Sequence, residues 1–430
     1  GLDEFGTLEI VSSLIDNNLV RPITLDATHP RFLMLFTIRS FGLAELQASA
    51  DADRVHAAMV EWISGVISRA TVSFRDEAAD AQLVHFATLE MERGNWRLAL
   101  SWLLERHETS RLLQMANDLA WFWYVRGPLR EGQSWLARAL AQDRTAVSDR
   151  TVAAALVGQG MLAYFSGDLD LARASLLESL ALQALDRDPW TFASAFLLLG
   201  LVEESSGNYA EAKPYLRDAL ELFESIPHMI NASLALGHLG VAHWGTGDLE
   251  QARQNLERSI ELQRQQSARW WLSTGLGYLS LVAGEQGDLQ AAARAEHESL
   301  RLRWAETKRD SGDPVRDTNE QRWQAGIWDD AAAALADLAV LASRTGQSED
   351  ALLLFGAALA SWKQVGRSRA NLPERLTYES AEQRARTEIG AAEAQDAYAE
   401  GLTLLGEEAL TVALEISAGI LASVTSGETS

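Results

Sequence analysis

Gly167-Asp168-Leu169 followed by Ala172, Gly207-Asn208-Tyr209 by Ala212, Gly247-Asp248-Leu249 by Ala252 and Gly287-Asp288-Leu289 by Ala292 recur at a spacing of 40 residues. Gly127-Pro128-Leu129 lies one period upstream. Looser copies stand at Gly94-Asn95-Trp96 with Ala99 and at Gly346-Gln347-Ser348 with Ala351, giving seven units. Self-similarity at a fixed period of this length marks a chain built from stacked supersecondary units. Each unit predicts two helices. Apolar residues recur at helical spacing before the glycine (Phe196, Leu199, Gly200, Val202) and after it (Tyr209, Ala212, Leu216, Ala219, Leu220). Glycine suits the left-handed residue that ends the first helix, because it has no Cβ to clash. The adjacent Asp or Asn can accept from the free N–H groups that open the second helix. The small Ala lets the two helices approach. Gly346-Gln347-Ser348 lacks the Asp or Asn, so Ser348 or Glu349 is expected to serve that helix start.

Leu199-Gly200, Gly207, Tyr209, Ala212, Leu216 and Ala219 together resemble the tetratricopeptide repeat. That family's usual period is about 34 residues, so each unit here carries roughly six more. The resemblance implies an all-α fold: a tetratricopeptide-like α-solenoid, a right-handed superhelix of helix pairs.

Residues 1–46 read differently. Leu8–Ile15 is amphipathic, Leu19–Leu25 and Arg31–Phe36 are strand-like runs around the turn Asp26–Pro30, and Thr37–Gln47 returns to helix. A helix, a β-hairpin and a helix form the back half of a winged-helix unit, so the chain is expected to begin inside a domain. Val11–Val20 (VSSLIDNNLV) is similar to the LxSLVDKSLV segment of STAND-class signalling NTPases, and Phe32–Arg39 (FLMLFTIR) to their RFRMLETIREYA segment. Leu89–Leu100 resembles their LEAEHDNLRAAL stretch. Trp121–Gly127, Arg130-Glu131-Gly132 and Trp135-Leu136 resemble LWRFWYVRGHLREGRRWLERAL. These stretches imply the sensor region of a STAND-class, LuxR-type, MalT-like bacterial transcriptional regulator, in which the repeats control an NTPase and an output module. The expected organisation is the C-terminal part of a winged helix over 1–48, an atypical helical linker or first repeat over 49–110 and the 40-residue repeats over 111–305. A polar insertion follows over 306–330, with Trp323 and Trp328 packing it down. A last repeat, a capping helix pair at Ala391–Leu414 and a frayed tail fill 331–430.

Composition narrows the function. The 430 residues hold 60 acidic and 37 basic side chains, a formal charge of −23. An acidic surface is unsuited to gripping phosphate backbone or anionic lipid, so neither direct nucleic-acid contact nor a membrane is expected of this chain. With no cysteine, disulfides, thiolate zinc sites and a cysteine nucleophile are excluded, which fits a reducing, cytoplasmic setting. No uninterrupted run of 18 apolar residues and no leader-like start occur, so the chain reads as soluble. The phosphate loop G-x-x-x-x-G-K-[ST], H-E-x-x-H and G-x-S-x-G are all absent, so no catalytic site, cofactor or metal is expected. His238 and His243 are poorly spaced for one helix face and lack an obvious carboxylate partner; packing is the plainer role. The many Glu and Asp side chains are expected on solvated outer faces.

Function is therefore expected from surface shape. The family resemblance implies that the first helix of each unit lines the concave side, with groove positions three and six residues before the repeat glycine. That register selects Asn117, Trp121 and Tyr124, then Met161, Tyr164 and Phe165, then Leu201 and Glu204, then Val241 and Trp244. Core positions such as Leu199, Leu239 and Leu279 lie elsewhere on the helix. The recurring aromatics admit two readings, packing in the wall of the superhelix or a groove for an apolar or carbohydrate-like small-molecule effector. A peptide or partner-protein helix in the same groove is the alternative occupant. A homo-oligomer is compatible with either.

Overall fold

The computed structural model describes residues 4–23, 31–76, 79–125, 128–182, 188–226, 229–266, 269–309, 320–364 and 374–427. These form 21 helices and one two-stranded hairpin, an all-α solenoid of tetratricopeptide type preceded by a small mixed unit. Two compact units separate at residue 64, inside helix α3 (Ala52–Asp76).

The first unit, Gly1–Ser64, contains α1 (Glu4–Asp16), β1 (Val20–Ile23), β2 (Arg31–Met34) and α2 (Phe36–Ala48). The strands pair antiparallel with Val20 opposite Met34 and Ile23 opposite Arg31. The turn at 26–30 lies outside the described residues.

The second unit, Gly65–Ser430, is the repeat array. Its N-terminal part holds α4 (Ala79–Met91), α5 (Arg93–Glu105), α6 (Thr109–Asp118), α7 (Ala120–Val125) and α8 (Leu129–Leu140). The regular pairs are α9 (Asp149–Ser166) with α10 (Leu169–Leu182), α11 (Pro189–Ser205) with α12 (Tyr209–Ser225), α13 (Met229–Gly245) with α14 (Leu249–Gln265), α15 (Arg269–Glu285) with α16 (Leu289–Arg309), and α17 (Glu320–Arg344) with α18 (Ser348–Gln364). Helices α19 (Arg375–Glu388), α20 (Ala391–Gly401) and α21 (Gly406–Ser426) complete it.

Each regular pair turns as the glycines require. Gly167, Gly207, Gly247, Gly287 and Gly346 all have φ between 78° and 85°, the left-handed region where a Cβ would be strained. The residue after each glycine donates its N–H back to the helix: Asp168 to Ala163 O at 2.9 Å, Asn208 to Glu203 O at 2.8 Å, Asp248 to His243 O at 3.0 Å and Asp288 to Ala283 O at 2.9 Å. These bonds satisfy carbonyls that the helix end would orphan. Asp168, Asp248 and Asp288 then accept from the N–H three residues on, at 3.1, 3.3 and 3.0 Å. Asn208 instead donates its side-chain amide to Glu203 at 2.8 Å. Ser348 does not cap its helix; its hydroxyl is hydrogen-bonded to Glu388.

Close approach within each pair follows from small residues. Ala172, Ala212, Ala252 and Ala292 are fully buried. A Cβ on Gly160 would fall 2.7 Å from Leu176, and one on Gly240 would fall 2.8 Å from Leu256; Gly200 faces Leu216 still more tightly. The 40-residue beat also carries a polar tie, in which Ser179, Ser259 and Ser299 donate to the carbonyls of Ala153, Ser233 and Ser273 at 2.9, 2.6 and 2.9 Å.

Two sequence expectations need correction. Gly94 is a residue of α5, not a helix terminator: the turn falls at Glu92, which accepts from Asn95 Nδ2 at 2.6 Å, while Trp96 Nε1 donates to Leu89 O at 3.0 Å. At the insertion, α16 continues to Arg309 and α17 has begun by Glu320, so helix covers both ends of 306–330. Residues 310–319, the side chains of Trp323 and Trp328, and the turn glycine Gly127 lie outside the described residues. Helix α21 is long and apolar enough to cross a membrane by length and composition, with a window of mean hydropathy 1.6, although no uninterrupted apolar run exists. Its Ala409, Leu410, Ala413, Ser417 and Ile420 are buried, and it packs on α16, α17 and α18.

Candidate ligand groove

The positions that the register assigns to a groove separate into a half-buried aromatic set and a buried set around Glu204 and Trp244. At the aromatic end, α7 supplies Trp121 and Tyr124 and α9 supplies Met161, Tyr164 and Phe165. The four rings run on continuously. Trp121 and Tyr124 have centroids 5.2 Å apart, Tyr124 stacks on Phe165 at 3.8 Å and 23°, and Phe165 meets Tyr164 edge-on at 4.9 Å. Ser205 Oγ donates to the Tyr164 hydroxyl at 3.4 Å. All four rings are half-buried, as are Asn117 and Met161. Asn117 lies over Gly158, where a Cβ would come within 2.8 Å of its Oδ1. The indole Nε1 of Trp121 is shielded from solvent and has no acceptor. A shielded donor left unmade costs about 1–3 kcal/mol, so it is a place where an acceptor oxygen would be welcome.

The other four selected residues, Leu201, Glu204, Val241 and Trp244, are closed off. Trp244 is buried in the core beside Tyr278, with ring centroids 6.4 Å apart. Glu204 is 2% exposed; its Oε2 lies 2.9 Å from His238 Nδ1, and its Oε1 has no partner. His238 therefore has the carboxylate partner that its sequence neighbourhood did not reveal, 34 residues away on the preceding repeat. His243 likewise lies 3.3 Å from Asp248.

Around Glu204 the chain buries three further acids against the expectation of an outward acidic face. Glu374, which leads into α19, accepts a hydrogen bond from Tyr278 and stands beside Glu204 and His238. Asp337 of α17 accepts from the Tyr378 hydroxyl at 2.7 Å. Glu296 of α16 is fully buried, near Ser280, Asp337 and Arg303. Burial pushes all four acids up. For Glu204, His238 offsets part of the rise; for Glu296, Asp337 adds to it. Asp337 is raised to about 7, by burial first and then by the charge of Glu374. Four carboxyl groups facing Arg303 and His238 cannot all be ionised in a medium of low polarisability, so each is displaced towards its protonated form.

A sequence signal for this cluster existed. Position nine before the repeat glycine reads Gly158, Leu198, His238, Tyr278 and Asp337, turning polar in the last three repeats. The leucine that faces the helix-one glycine, Leu176, Leu216 and Leu256, becomes Glu296 in the next unit. Glu374 carried no such signal, since it lies outside the repeats. No group of three or more metal-ligating side chains occurs among the described residues.

The family model for the tetratricopeptide repeat matches residues 191–265, the helix pairs α11–α12 and α13–α14. A protein of Mycobacterium tuberculosis strain H37Rv that carries the provisional name HTH-type transcriptional regulator is 30% identical over 233 residues, 52% of this chain and 25% of that protein. A Mycobacterium bovis protein of like name aligns equally. The chain thus spans about a quarter of the length of the curated relatives it matches. Among solved structures, the STAND protein with a tetratricopeptide repeat sensor from Pyrococcus horikoshii is 13% identical at a TM-score of 0.43, covering 90% of this chain and 60% of that one. Apo RapI is 14% identical at 0.42, covering 64% and 98%.

Proposed function

We propose that this chain is the effector-sensing repeat region of a STAND-type transcriptional regulator, binding a small-molecule inducer at the aromatic end of its groove and thereby controlling an NTPase and output module of its parent. The observation that carries the reading is the continuous half-buried surface of Trp121, Tyr124, Phe165 and Tyr164 with the unpartnered Trp121 Nε1 at its edge. Rings give large contact area with little entropy to lose, and one shielded donor gives direction. The likeness to proteins named as HTH-type regulators supports the regulatory part. Control of a distant module is a population shift: the inducer must prefer one arrangement of the array, and its differential affinity sets the limit of the effect.

A peptide or partner-protein helix is the second reading, and one observation favours it. The inner face of the later repeats already holds a stretch of polypeptide, since Glu374 and Tyr378 rest on Tyr278 and Asp337. Thermal-shift screening of metabolites against a peptide library separates the two readings. With the inducer identified, Trp121→Ala is expected to weaken binding about tenfold, in line with loss of one buried aromatic contact, while leaving the far-ultraviolet circular dichroism unchanged. Calorimetry showing unaltered affinity in both Trp121→Ala and Tyr164→Ala would remove the groove from consideration.

A further inference from the structure

On a different face of the array, four arginines converge on one cleft of about 680 Å³. Arg264 ends α14, Arg269 begins α15, and Arg294 and Arg301 stand on α16. Seven residues apart, Arg294 and Arg301 lie two turns along one helix face, with His297 one turn from either. The one carboxylate in the lining, Glu298, is taken by Arg264 at 2.7 Å. Arg269, Arg294 and Arg301 form no ion pair among the described residues. In a chain of charge −23 with many cross-repeat pairs, such as Arg258–Glu224 and Arg97–Glu131, these three guanidiniums gather around one depression without an ion pair, Arg294 feeling only the more distant charge of Asp288.

The floor is apolar. Leu272, Leu302 and Leu421 line it, and through His297 and Leu421 it runs into a second depression of about 460 Å³ lined by Ala418, Ala422 and Thr425 of α21. His297 is the hinge between them, held through Nδ1 to Ser417 Oγ at 2.9 Å. We propose that this double cleft binds an amphiphilic anion, its carboxylate or phosphate head between Arg294 and Arg301 and its hydrocarbon chain along Leu421 and Ala422. Guanidinium groups match the planar and tetrahedral oxyanions bidentately, and hydrocarbon laid along α21 leaves water at about 25 cal/mol per Å². The ligand is a free molecule rather than a membrane surface, since the rest of the chain is strongly acidic and repels anionic lipid.

The environment of His297 supplies a readout. Burial and then the charge of Arg301 hold its pKa below the ordinary value. The ionisable groups around it are Arg264 from α14, Arg269 from α15 and Arg294, Glu298 and Arg301 from its own helix; α21 contributes none to either depression. A bound oxyanion neutralises that field and raises the His297 pKa.

The test is titration of the full chain with decyl phosphate below its micelle concentration, followed by calorimetry and by the histidine ring resonances. Saturable binding with an upward shift of the His297 titration is expected, and Arg294→Gln with Arg301→Gln should weaken it at least tenfold. Both side chains are exposed, so the fold should persist, which circular dichroism checks. Leu421→Ser should weaken decyl phosphate while leaving the much weaker binding of inorganic phosphate as it was. The proposal is overturned if the neutral decyl maltoside binds equally well, if inorganic phosphate matches decyl phosphate, or if the double arginine variant binds as the parent does. Retention on phosphatidylglycerol vesicles without binding of monomeric decyl phosphate would overturn it too, in favour of a membrane.

Discussion

Replacing Asp337 by asparagine tests whether the interior of the array depends on bound protons. Asp337 is buried and its pKa is raised from 3.8 to about 7. Between those values the folded chain keeps a proton that the unfolded chain gives up, so stability falls as pH rises through the window. Each pH unit costs about 1.4 kcal/mol from this group alone, and the full span of about three units costs about 4 kcal/mol. Glu204, Glu296 and Glu374 are displaced in the same direction and steepen the loss. His243 and His297 act oppositely: their depressed values make folding more favourable as pH passes through the ordinary histidine range. The parent's slope is therefore a sum, and comparison with the variant isolates Asp337. The asparagine amide would keep an oxygen to accept from Tyr378 and carry no charge to desolvate. Urea unfolding followed by circular dichroism at about pH 5 and about pH 8 should show the parent losing about 3 kcal/mol more than Asp337→Asn between the two, with the variant the more stable at the higher pH. Parallel profiles for the two proteins would refute the protonated interior.

Three other substitutions probe the scaffold. Gly247→Ala places a Cβ at φ 81° and should lower stability by about 1–2 kcal/mol, read as a lower urea midpoint. Trp96→Phe removes the buried donation to Leu89 O at 3.0 Å while keeping most of the packing, and should cost about 1–2 kcal/mol by the same assay. Arg258→Gln breaks an exposed cross-repeat pair with Glu224 at 2.8 Å and should change stability by no more than about 0.5 kcal/mol.

The helix pairs were legible because their cause is local. A glycine that must adopt positive φ, a small residue where two helices touch and an acid at the next N-cap are each fixed by neighbours within a few positions, so a 40-residue spacing exposes them. Gly94 shows the limit: the same letters occur, but Glu92 ends the preceding helix, and only the hydrogen bonds of Asn95 and Trp96 distinguish the two situations. Of the candidate site, the aromatic cluster was legible. Trp121, Tyr124, Tyr164 and Phe165 do come together, since register alone places them on successive first helices. Glu204 and Trp244 share that register and are nonetheless closed off; Glu204 stands beside Glu374, 170 residues further along the chain, and Trp244 packs on Tyr278 of the next repeat. No local pattern announces a cover of that kind.

The two ends of the groove are consequently unlike in chemistry, and the difference follows from what each faces. Where the inner face meets the chain's own C-terminal helices, position nine before the glycine is His238, Tyr278 and Asp337, each hydrogen-bonded to or beside a partner of Glu204, Glu374 or Tyr378. The positions of the earlier units carry rings in contact with one another and, among the described residues, a donor with no acceptor. A buried polar network of this kind contributes little net stability but penalises any misplacement heavily, because a displaced partner leaves an unpaired acid behind. The covered end is thus suited to holding one arrangement of α17 and α19 against the repeats, with protons as its counter-charges. Any occupant of the aromatic end that shifts Tyr164 acts on Ser205 next to Glu204, one residue from the first acid of that network.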